Sequence, residues 1–468
     1  MKVLHIITGL DVGGAEQQLR LLLRRLPARC EVVTLTNPGP VAAGIEADGT
    51  PVTHLGMTGD RDLRALPRLA ALIRAGGYDL VHTHLYRACV YGRIAARMAG
   101  VRAVVATEHS LGDAVLEGRR LTRGVRALYR ATERLGTTTV AVSDTVAARL
   151  RRWGVPEQRI HVVPNGIEAH RFGFDPAARA VIRARLGLPP DAFVVGGVGR
   201  LVAGKRFDVL VRAVTQLPGV HLLLAGDGPE RTRLLRMAEQ FGSADRIHLL
   251  GAVRDVVGGA AAPPCAVRDV VGGAAAPPCA MGDVGGSDGG GRAGTGPGTG
   301  TGSGTGTGTG IDVPGLLSVI DVCVSPSPDE AFGLAVLEAL ASGLPVLHGS
   351  CPAVDELPAD QAPGARRFSP GVQQLATALR ELRREGPGRL PVPPVVRRYD
   401  IARSAEALMC VYEEALATAL ARRRHTTGPA PEPAPSSAPA PAPQAHPSGV
   451  VSLPDPARSP APSPLSNS

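Results

Sequence analysis

Two glutamates eight positions apart, Glu330 and Glu338, flank the point where a loop turns into a helix in Glu330-Ala-Phe-Gly-Leu-Ala-Val-Leu-Glu338. An apolar run at residues 319–324 leads in through Ser and Pro. Ala339-Leu-Ala-Ser-Gly343, with Pro345 beyond, closes the helix. Glu330 therefore lies ahead of the helix and Glu338 more than a turn inside it. Ionised carboxylates accept hydrogen bonds and donate none, so the pair suits two parts of one extended, hydroxyl-rich ligand. A second constellation follows the β-branched run Phe193–Val198: Gly199-Arg200-Leu-Val-Ala-Gly-Lys205. A guanidinium fork and an ammonium point charge on a glycine-flexed turn fit a diphosphate. Lys205 stands out because, of 51 basic residues, the only other lysine is Lys2.

Gly9-Leu-Asp-Val-Gly13-Gly14-Ala-Glu16 follows the first apolar run and opens a helix at Ala15. Such a loop lets backbone N–H groups approach an anionic ligand, although it is not the GxGxxG dinucleotide pattern. Glu108-His109-Ser110 closes the run at residues 103–109, a position that points a side chain into a cleft. His82 and His84 end the preceding run likewise. A lone strand-end histidine is more often structural than ligand-binding; His109 is the best placed of the three. No metal site is expected. Asp60-Arg-Asp62 has the DxD form used in metal-dependent sugar transfer, but it lies in a polar loop far from Arg200 and Lys205 and is discounted.

The elements that must position these residues are legible as short apolar runs alternating with longer helical patterns. The first series covers residues 3–8, 31–36, 80–84, 103–109, 139–143 and 160–164. The second covers 193–198, 221–225, 247–251, 319–324 and 345–347. Near-continuous apolar strands between helices mean parallel sheets covered on both faces, hence an α/β fold. The polar, proline-containing stretch 171–190 divides the chain into two halves, with domains at 1–175 and 181–425. Ligands of such sheets bind at the carboxyl ends of the strands, here the cleft between the halves. A final helix at about 401–424 packs back on the N-terminal half in this reading.

Two segments break the pattern. Residues 253–266 (VRDVVGGAAAPPCA) recur unchanged as 267–280, and a Gly/Thr run continues to Gly310. This composition cannot bury enough apolar surface to fold, so residues 257–311 read as a low-complexity insert, disordered by composition. Removing them would rejoin a normal strand–loop–helix connection. The Pro/Ala/Ser tail at 426–468 reads as disordered for the same reason. A helix is expected over residues 116–135. Its arginines Arg119, Arg123, Arg126, Arg130 and Arg134 share one face, and Leu121, Val125, Leu128, Thr132 and Leu135 lie opposite. A solvated face is the plainer reading of that stripe; docking to anionic lipid headgroups is the alternative.

At 468 residues the chain has room for two ordinary domains. A formal charge of +9 makes an anionic partner plausible, while aromatic residues at 3% argue against base stacking, so no nucleic-acid partner is expected. The seven cysteines form no CxxC pair and do not read as a disulfide or zinc framework. The start is too short an apolar run for a signal peptide, and no uninterrupted 18-residue apolar span occurs. The expectation is a cytoplasmic protein, peripheral at the inner face of a membrane if the arginine stripe docks there.

Taken in order, Gly13-Gly14-Ala-Glu16, Glu108-His-Ser, Val163-Pro-Asn-Gly-Ile-Glu168, Gly199-Arg200 with Lys205, Ala225-Gly-Asp-Gly-Pro229 and Glu330 to Glu338 resemble glycosyltransferase family 4. That group comprises retaining enzymes of the GT-B fold, two Rossmann-like parallel-sheet domains facing a central cleft. The resemblance runs from Met1 to about Leu420, interrupted by the insert. It implies that Arg200 and Lys205 hold the diphosphate of a nucleotide-sugar, Glu330 the donor-sugar hydroxyls and Glu338 the ribose. It places His109 beside the reacting sugar, giving His109, Arg200, Lys205 and Glu330 as catalytic candidates. Gly13, Gly14, Arg254, Phe332, Gly333 and Leu334 complete the donor-binding set. It further implies a metal-independent hexosyl transfer to a hydroxyl acceptor, with no cofactor. The family's Glu-Gly-Phe-Gly is Glu330-Ala-Phe-Gly here, and the insert begins beside the expected base pocket. A nucleotide-sugar-binding relic disabled by the insert, or a sugar-nucleotide epimerase, therefore stays open at this level.

Overall fold

The computed structural model describes residues 1–59, 61–109, 111, 115–116, 119–253, 311–369, 371–386 and 388–426. The N-terminal half runs β1 (Lys2–Gly9), α1 (Gly14–Leu23), β2 (Arg29–Asn37), α2 (Gly39–Ala47), β3 (Val52–His54), α3 (Ala65–Gly76) and β4 (Leu80–His84). It continues with α4 (Tyr86–Ala99), β5 (Val104–Glu108), the hairpin β6 (Val115–Leu116) and β7 (Arg119–Arg120), α5 (Arg123–Glu133), β8 (Thr138–Ala141), α6 (Asp144–Trp153) and β9 (Ile160–Val162). The C-terminal half comprises α7 (Pro176–Arg185), β10 (Phe193–Val198), α8 (Phe207–Thr215), β11 (Val220–Ala225), α9 (Arg231–Gln240) and β12 (Ile247–Gly251). After the undescribed segment come α10 (Val313–Val319), β13 (Val322–Ser325), α11 (Leu334–Ala341), β14 (Val346–His348), α12 (Pro352–Asp355), β15 (Ala365–Arg367), α13 (Val372–Glu385), α14 (Pro394–Arg398) and α15 (Ile401–Thr426).

Seven parallel strands form the first sheet in the order β3-β2-β1-β4-β5-β8-β9, and six form the second in the order β12-β11-β10-β13-β14-β15. Both are doubly wound. Strand order reverses between β1 and β4 in one and between β10 and β13 in the other, and such switch points open a crevice at the strands' carboxyl ends. The strands β4 and β5 are buried throughout and β10 in all but its last residue, as their apolar runs require. β3 and β15, short edge strands whose sides are half exposed, were not evident from hydropathy.

Helix α15 lays Ile401, Ala405, Leu408, Val411, Tyr412, Ala415 and Ala419 against Val3, Leu80, Val105 and Val140 of the first sheet. The motif Val163-Pro-Asn-Gly-Ile-Glu168 is where it docks. Ile167 N–H donates to the Tyr399 carbonyl (2.9 Å), and Ile401 N–H returns a bond to Ile167 (3.1 Å). A Cβ on Gly166 would come within 2.5 Å of the Ile401 Cα. Glu168, buried, is held by Arg25 at 2.9 Å and Arg24 at 3.3 Å.

Three expectations change. The stretch 171–190 holds helix α7, whose Arg179 and Arg183 clamp Asp321 at 2.6 and 3.0 Å and so tie it to the C-terminal half. The apolar run at 319–324 divides between the end of α10 and β13, because a short apolar run fits either element. The helix expected over 116–135 is α5 alone, Arg123–Glu133, capped by the Thr122 hydroxyl accepting from Val125 N–H at 3.2 Å. Arg119 lies in the hairpin, and Leu128 is 47% exposed rather than packed. No helix among the described residues is long and apolar enough to cross a membrane.

Candidate active site

The switch point of the second sheet brings the two charged constellations together. The loop after β10 carries Arg200 and Lys205; the loop after β13 carries Glu330. Lys205 Nζ donates to Glu330 Oε1 at 2.5 Å, with the two side chains 31% and 13% exposed. Arg200 is exposed, and no side-chain partner engages it among the described residues.

Glycine makes the close approach of these loops feasible. Leu201 N–H donates to Asp227 (2.8 Å) and Glu230 N–H to Leu201 (3.0 Å). A Cβ on Gly226 or Gly228 would strike the carbonyls of Gly199 and Leu201. The Ala225-Gly-Asp-Gly-Pro229 motif thus braces the Arg200 turn. On the other side the Ser327 hydroxyl reaches the Gly204 carbonyl (3.4 Å) and that of Asp329 (3.0 Å), tying the Lys205 turn to the Glu330 loop.

Gly333 caps α11 at φ +110°, where a Cβ would collide with Cys351 Sγ. Phe332 is buried edge-on against Tyr399, ring centroids 5.1 Å apart, and anchors the loop. The first-turn amides of α11 follow at once, with Leu334 leading and Glu338 one turn on. The partial positive charge of the α11 N-terminus thus follows directly on the Glu330 loop. Only two described residues other than glycine have positive φ: Arg206, directly after Lys205, and Leu85, directly after His84. Backbone strain of this kind gathers at functional sites.

The N-terminal half faces this site. Gly14, which opens α1, stands where a Cβ would touch Leu334 Cδ1 at 3.4 Å, and the Glu16 carboxylate folds back against Gly13. Ser143, the N-cap of α6, donates to the Ala331 carbonyl at 2.7 Å. Arg149 binds the Leu111 carbonyl at 2.7 Å and also the Asp329 carboxylate, so one buried guanidinium links the loop after His109 to the loop before Glu330. The N-terminal amides of α6 at Asp144 and Thr145, which have no partner within the helix, donate to the Glu356 carboxylate at 3.0 and 2.7 Å. Ser143, Arg149 and Glu356 were missed from sequence because partners about 180 to 210 residues apart leave no local signature; only the Ser143 cap was discoverable.

His109 is 8% exposed at the end of β5, and burial lowers its pKa to about 4. Its Nε2 lies 3.1 Å from His84 Nδ1, and His84 Nε2 lies 3.1 Å from His5 Nδ1. The register explains the line: His5 pairs with His82, and His84 with Thr107, so each link moves one strand over and two residues on, along one face. His82, expected to face the cleft, is instead wholly buried. Its two nitrogens meet the Tyr412 hydroxyl at 2.6 Å and the Thr107 hydroxyl at 2.7 Å. His5, His82 and His84 offer nitrogens within 4.8 Å of one another, a spacing open to a cation. Yet both nitrogens of His82 and of His84 already serve hydrogen bonds, so a cation would have to break them. Arg254, Ser110, Asp60, the insert to Gly310 and the tail from Thr427 lie outside the described residues.

Comparison with known proteins follows the same division. The Glycosyltransferase Family 4 model matches residues 12–171, and two models of Glycosyl transferases group 1 match 178–257 and 305–385. The chain is 37% identical over 195 residues to D-inositol 3-phosphate glycosyltransferase 1 of Catenulispora acidiphila, covering 38% of this chain and 45% of that one. It is 27% identical over 438 residues to D-inositol 3-phosphate glycosyltransferase of Salinispora tropica, covering 85% of this chain and 77% of the relative. Anabaena HepE, solved in complex with UDP and glucose, shares the fold at a TM-score of 0.62 and 18% identity, over 91% of this chain and 99% of that one. With two Rossmann-like sheets of the GT-B type, the chain belongs to the group 1 glycosyltransferases, its N-terminal half to family 4.

Proposed function

We propose that this protein transfers a hexosyl unit from a nucleotide-diphosphate sugar to a hydroxyl acceptor with retention at the anomeric carbon. The observation that carries this reading is the Lys205–Glu330 pair at the switch point, on the loop that leads into α11, whose Leu334 meets Gly14 of the N-terminal half. In the reaction the bond from the anomeric carbon to the diphosphate oxygen breaks, and its electron pair leaves on that oxygen. Lys205, the exposed Arg200 and the α11 N-terminus stabilise the charge as it develops; one such preorganised donor is worth about 10²–10³ in rate. The acceptor oxygen bonds to the carbon on the same face, and its proton passes to the departing phosphate oxygen. Glu330 and Glu338, as acceptors only, take hydroxyls of the donor sugar and the ribose.

The named relatives act on D-inositol 3-phosphate, and the named structural neighbour binds UDP and glucose. A UDP-hexose donor and a phosphorylated cyclitol acceptor are accordingly the first substrates to test. A panel of nucleotide-sugars scored by thermal shift identifies the donor, because a bound ligand stabilises by mass action. Transfer is then followed with Lys205→Ala and Glu330→Ala, each expected to lose activity while the fold survives. Full activity in both variants rejects the assignment, and donor conversion without acceptor would mark an epimerase.

A further inference from the structure

The line His5–His84–His109 runs through neutral rings: burial lowers the pKa of His5 to about 3, of His109 to about 4 and of His84 well below the ordinary value. A neutral imidazole has one N–H and one lone pair, so each contact between two rings has one donor and one acceptor. The two contacts cannot then be set independently. If His5 Nδ1–H donates to His84 Nε2, then His84 must donate through Nδ1 to His109 Nε2, and His109 is left with Nδ1–H. If His109 donates instead, every proton sits on Nε2 and His5 keeps an Nε2–H. The chain has two polarities, and within each all three rings are the same tautomer.

The unpartnered ends decide between them. His109 Nδ1 and His5 Nε2 are both enclosed without a hydrogen-bond partner. Either polarity leaves one of them as a buried N–H, which is costly to leave unmade. His5 lies mid-strand in β1, an interior strand of the sheet, and is fully buried. His109 closes β5 at its carboxyl end, where ligands of such sheets bind, and although its Nδ1 is enclosed the residue keeps 8% exposure, so of the two ends its N–H is the one on the cleft side.

We infer that His84 is a positioning residue which, backed by His5, fixes His109 as the Nδ1–H tautomer, so that His109 offers the ligand a hydrogen-bond donor and no basic lone pair. This rests on the proposed reaction only for what the donor meets there, a hydroxyl or phosphoryl oxygen. It assigns His109 a role other than taking the acceptor's proton, in agreement with the departing phosphate doing so. The strained backbone at Leu85, directly after His84, is consistent with a side chain held in place by more than strand geometry.

The test is made on ligand-free, full-length protein labelled with 15N-histidine, in which pyrrole-type and pyridine-type ring nitrogens are resolved and assigned. His5, His84 and His109 are all expected to carry the proton on Nδ1, the less common tautomer of a free imidazole. One of the three protonated on Nε2 overturns the inference, whether or not any nucleotide-sugar binds. In His84→Gln, whose amide can donate to His109 Nε2, His109 should keep Nδ1–H. In His84→Phe it should revert to Nε2–H; retention of Nδ1–H there also refutes the role. Should His84→Phe fail to fold, the wild-type and His84→Gln spectra decide.

Discussion

In the ligand-free protein Lys205 is held by Glu330, the carboxylate proposed to recognise the sugar, and this makes an unusual prediction about nucleoside diphosphate binding. The ammonium must leave Glu330 Oε1, 2.5 Å away, before it can serve a diphosphate. The pair is neither exposed nor buried, with 31% and 13% of the two side chains accessible. Exposed pairs are worth about 0.2–1 kcal/mol, and this one lies at the top of that range, about 1 kcal/mol. At 1.4 kcal/mol per decade, that competition weakens diphosphate binding about fivefold. Glu330→Gln removes the competitor and keeps the shape, so UDP alone should bind about fivefold tighter. Lys205→Met keeps the stem and removes the charge; losing a charge-assisted hydrogen bond of about 1.5–3 kcal/mol should weaken UDP roughly 10- to 100-fold. Titration calorimetry with UDP on wild type and both variants reads the two effects directly. If both substitutions weaken UDP to a similar degree, Glu330 supports the diphosphate site rather than competing for it, and the reasoning fails. The same variants separate binding from chemistry, because Glu330→Gln should lose transfer while gaining affinity for UDP.

Three further outcomes are expected. Gly333→Ala forces a side chain into φ +110° against Cys351 Sγ, so the melting temperature should fall by an amount equivalent to about 1–3 kcal/mol, and donor binding with it. The buried neutral histidines carry a pH signature. Their folded pKa values lie below the unfolded value of about 6.5, so the unfolded chain takes up protons first and stability is lost as pH falls below 6.5. His5 and His109, lowered to about 3 and about 4, each cost about 2 kcal/mol at pH 5, and His109→Gln should flatten the melting-temperature profile between pH 7 and pH 5. Finally, Arg123→Glu, Arg126→Glu and Arg130→Glu together should abolish binding to vesicles containing anionic lipid if α5 docks on membranes; unchanged vesicle binding removes that role.

The parts of this fold that were legible in sequence are those where burial on both faces forces a continuous apolar run, such as Val104–Glu108 and Val220–Ala225. Lys205 and Glu330 could be singled out because loops at the carboxyl ends of central strands converge at a switch point whatever the detail of the chain between them. Other features had no local signature. The edge strands β3 and β15 are too short and too exposed to differ from loops. Two motifs that carried the family resemblance without an assigned role, Val163-Pro-Asn-Gly-Ile-Glu168 and Ala225-Gly-Asp-Gly-Pro229, brace the scaffold, because a glycine needed for close backbone approach looks the same beside a helix as beside a phosphate. The histidine line was half visible. His82 and His84 alternate on one face, but that His84 rather than His82 meets His5 and His109 follows from a diagonal register that only pairing reveals.

The insert made a disabled protein a rival reading, and the two ends of the fold that flank it bear on that reading. It departs beyond β12, an edge strand of the second sheet, and the chain returns into α10. Val253 and Ile311, the described residues on either side, are both buried in one apolar cluster with Leu316 and Leu337, and Asp312 caps α10 by accepting from Gly315 N–H at 2.8 Å. The core therefore closes across the gap, and the excision suggested by composition, 257–311, would remove a buried isoleucine; it should stop at Gly310. Lys205 and Glu330 are set by β10, β13 and the Ser327 contacts, none of which contains the inserted residues. Because loop-closure entropy grows only with the logarithm of length, the long connection costs the fold little. What the insert can affect is the entry of the chain beyond Val253, where Arg254 was assigned to donor binding. Deleting residues 257–310 should therefore leave the melting temperature close to that of the full chain. Donor turnover equal in both forms supports an active enzyme with a tolerated insert, whereas turnover only in the shortened chain identifies the insert as the element that silences it.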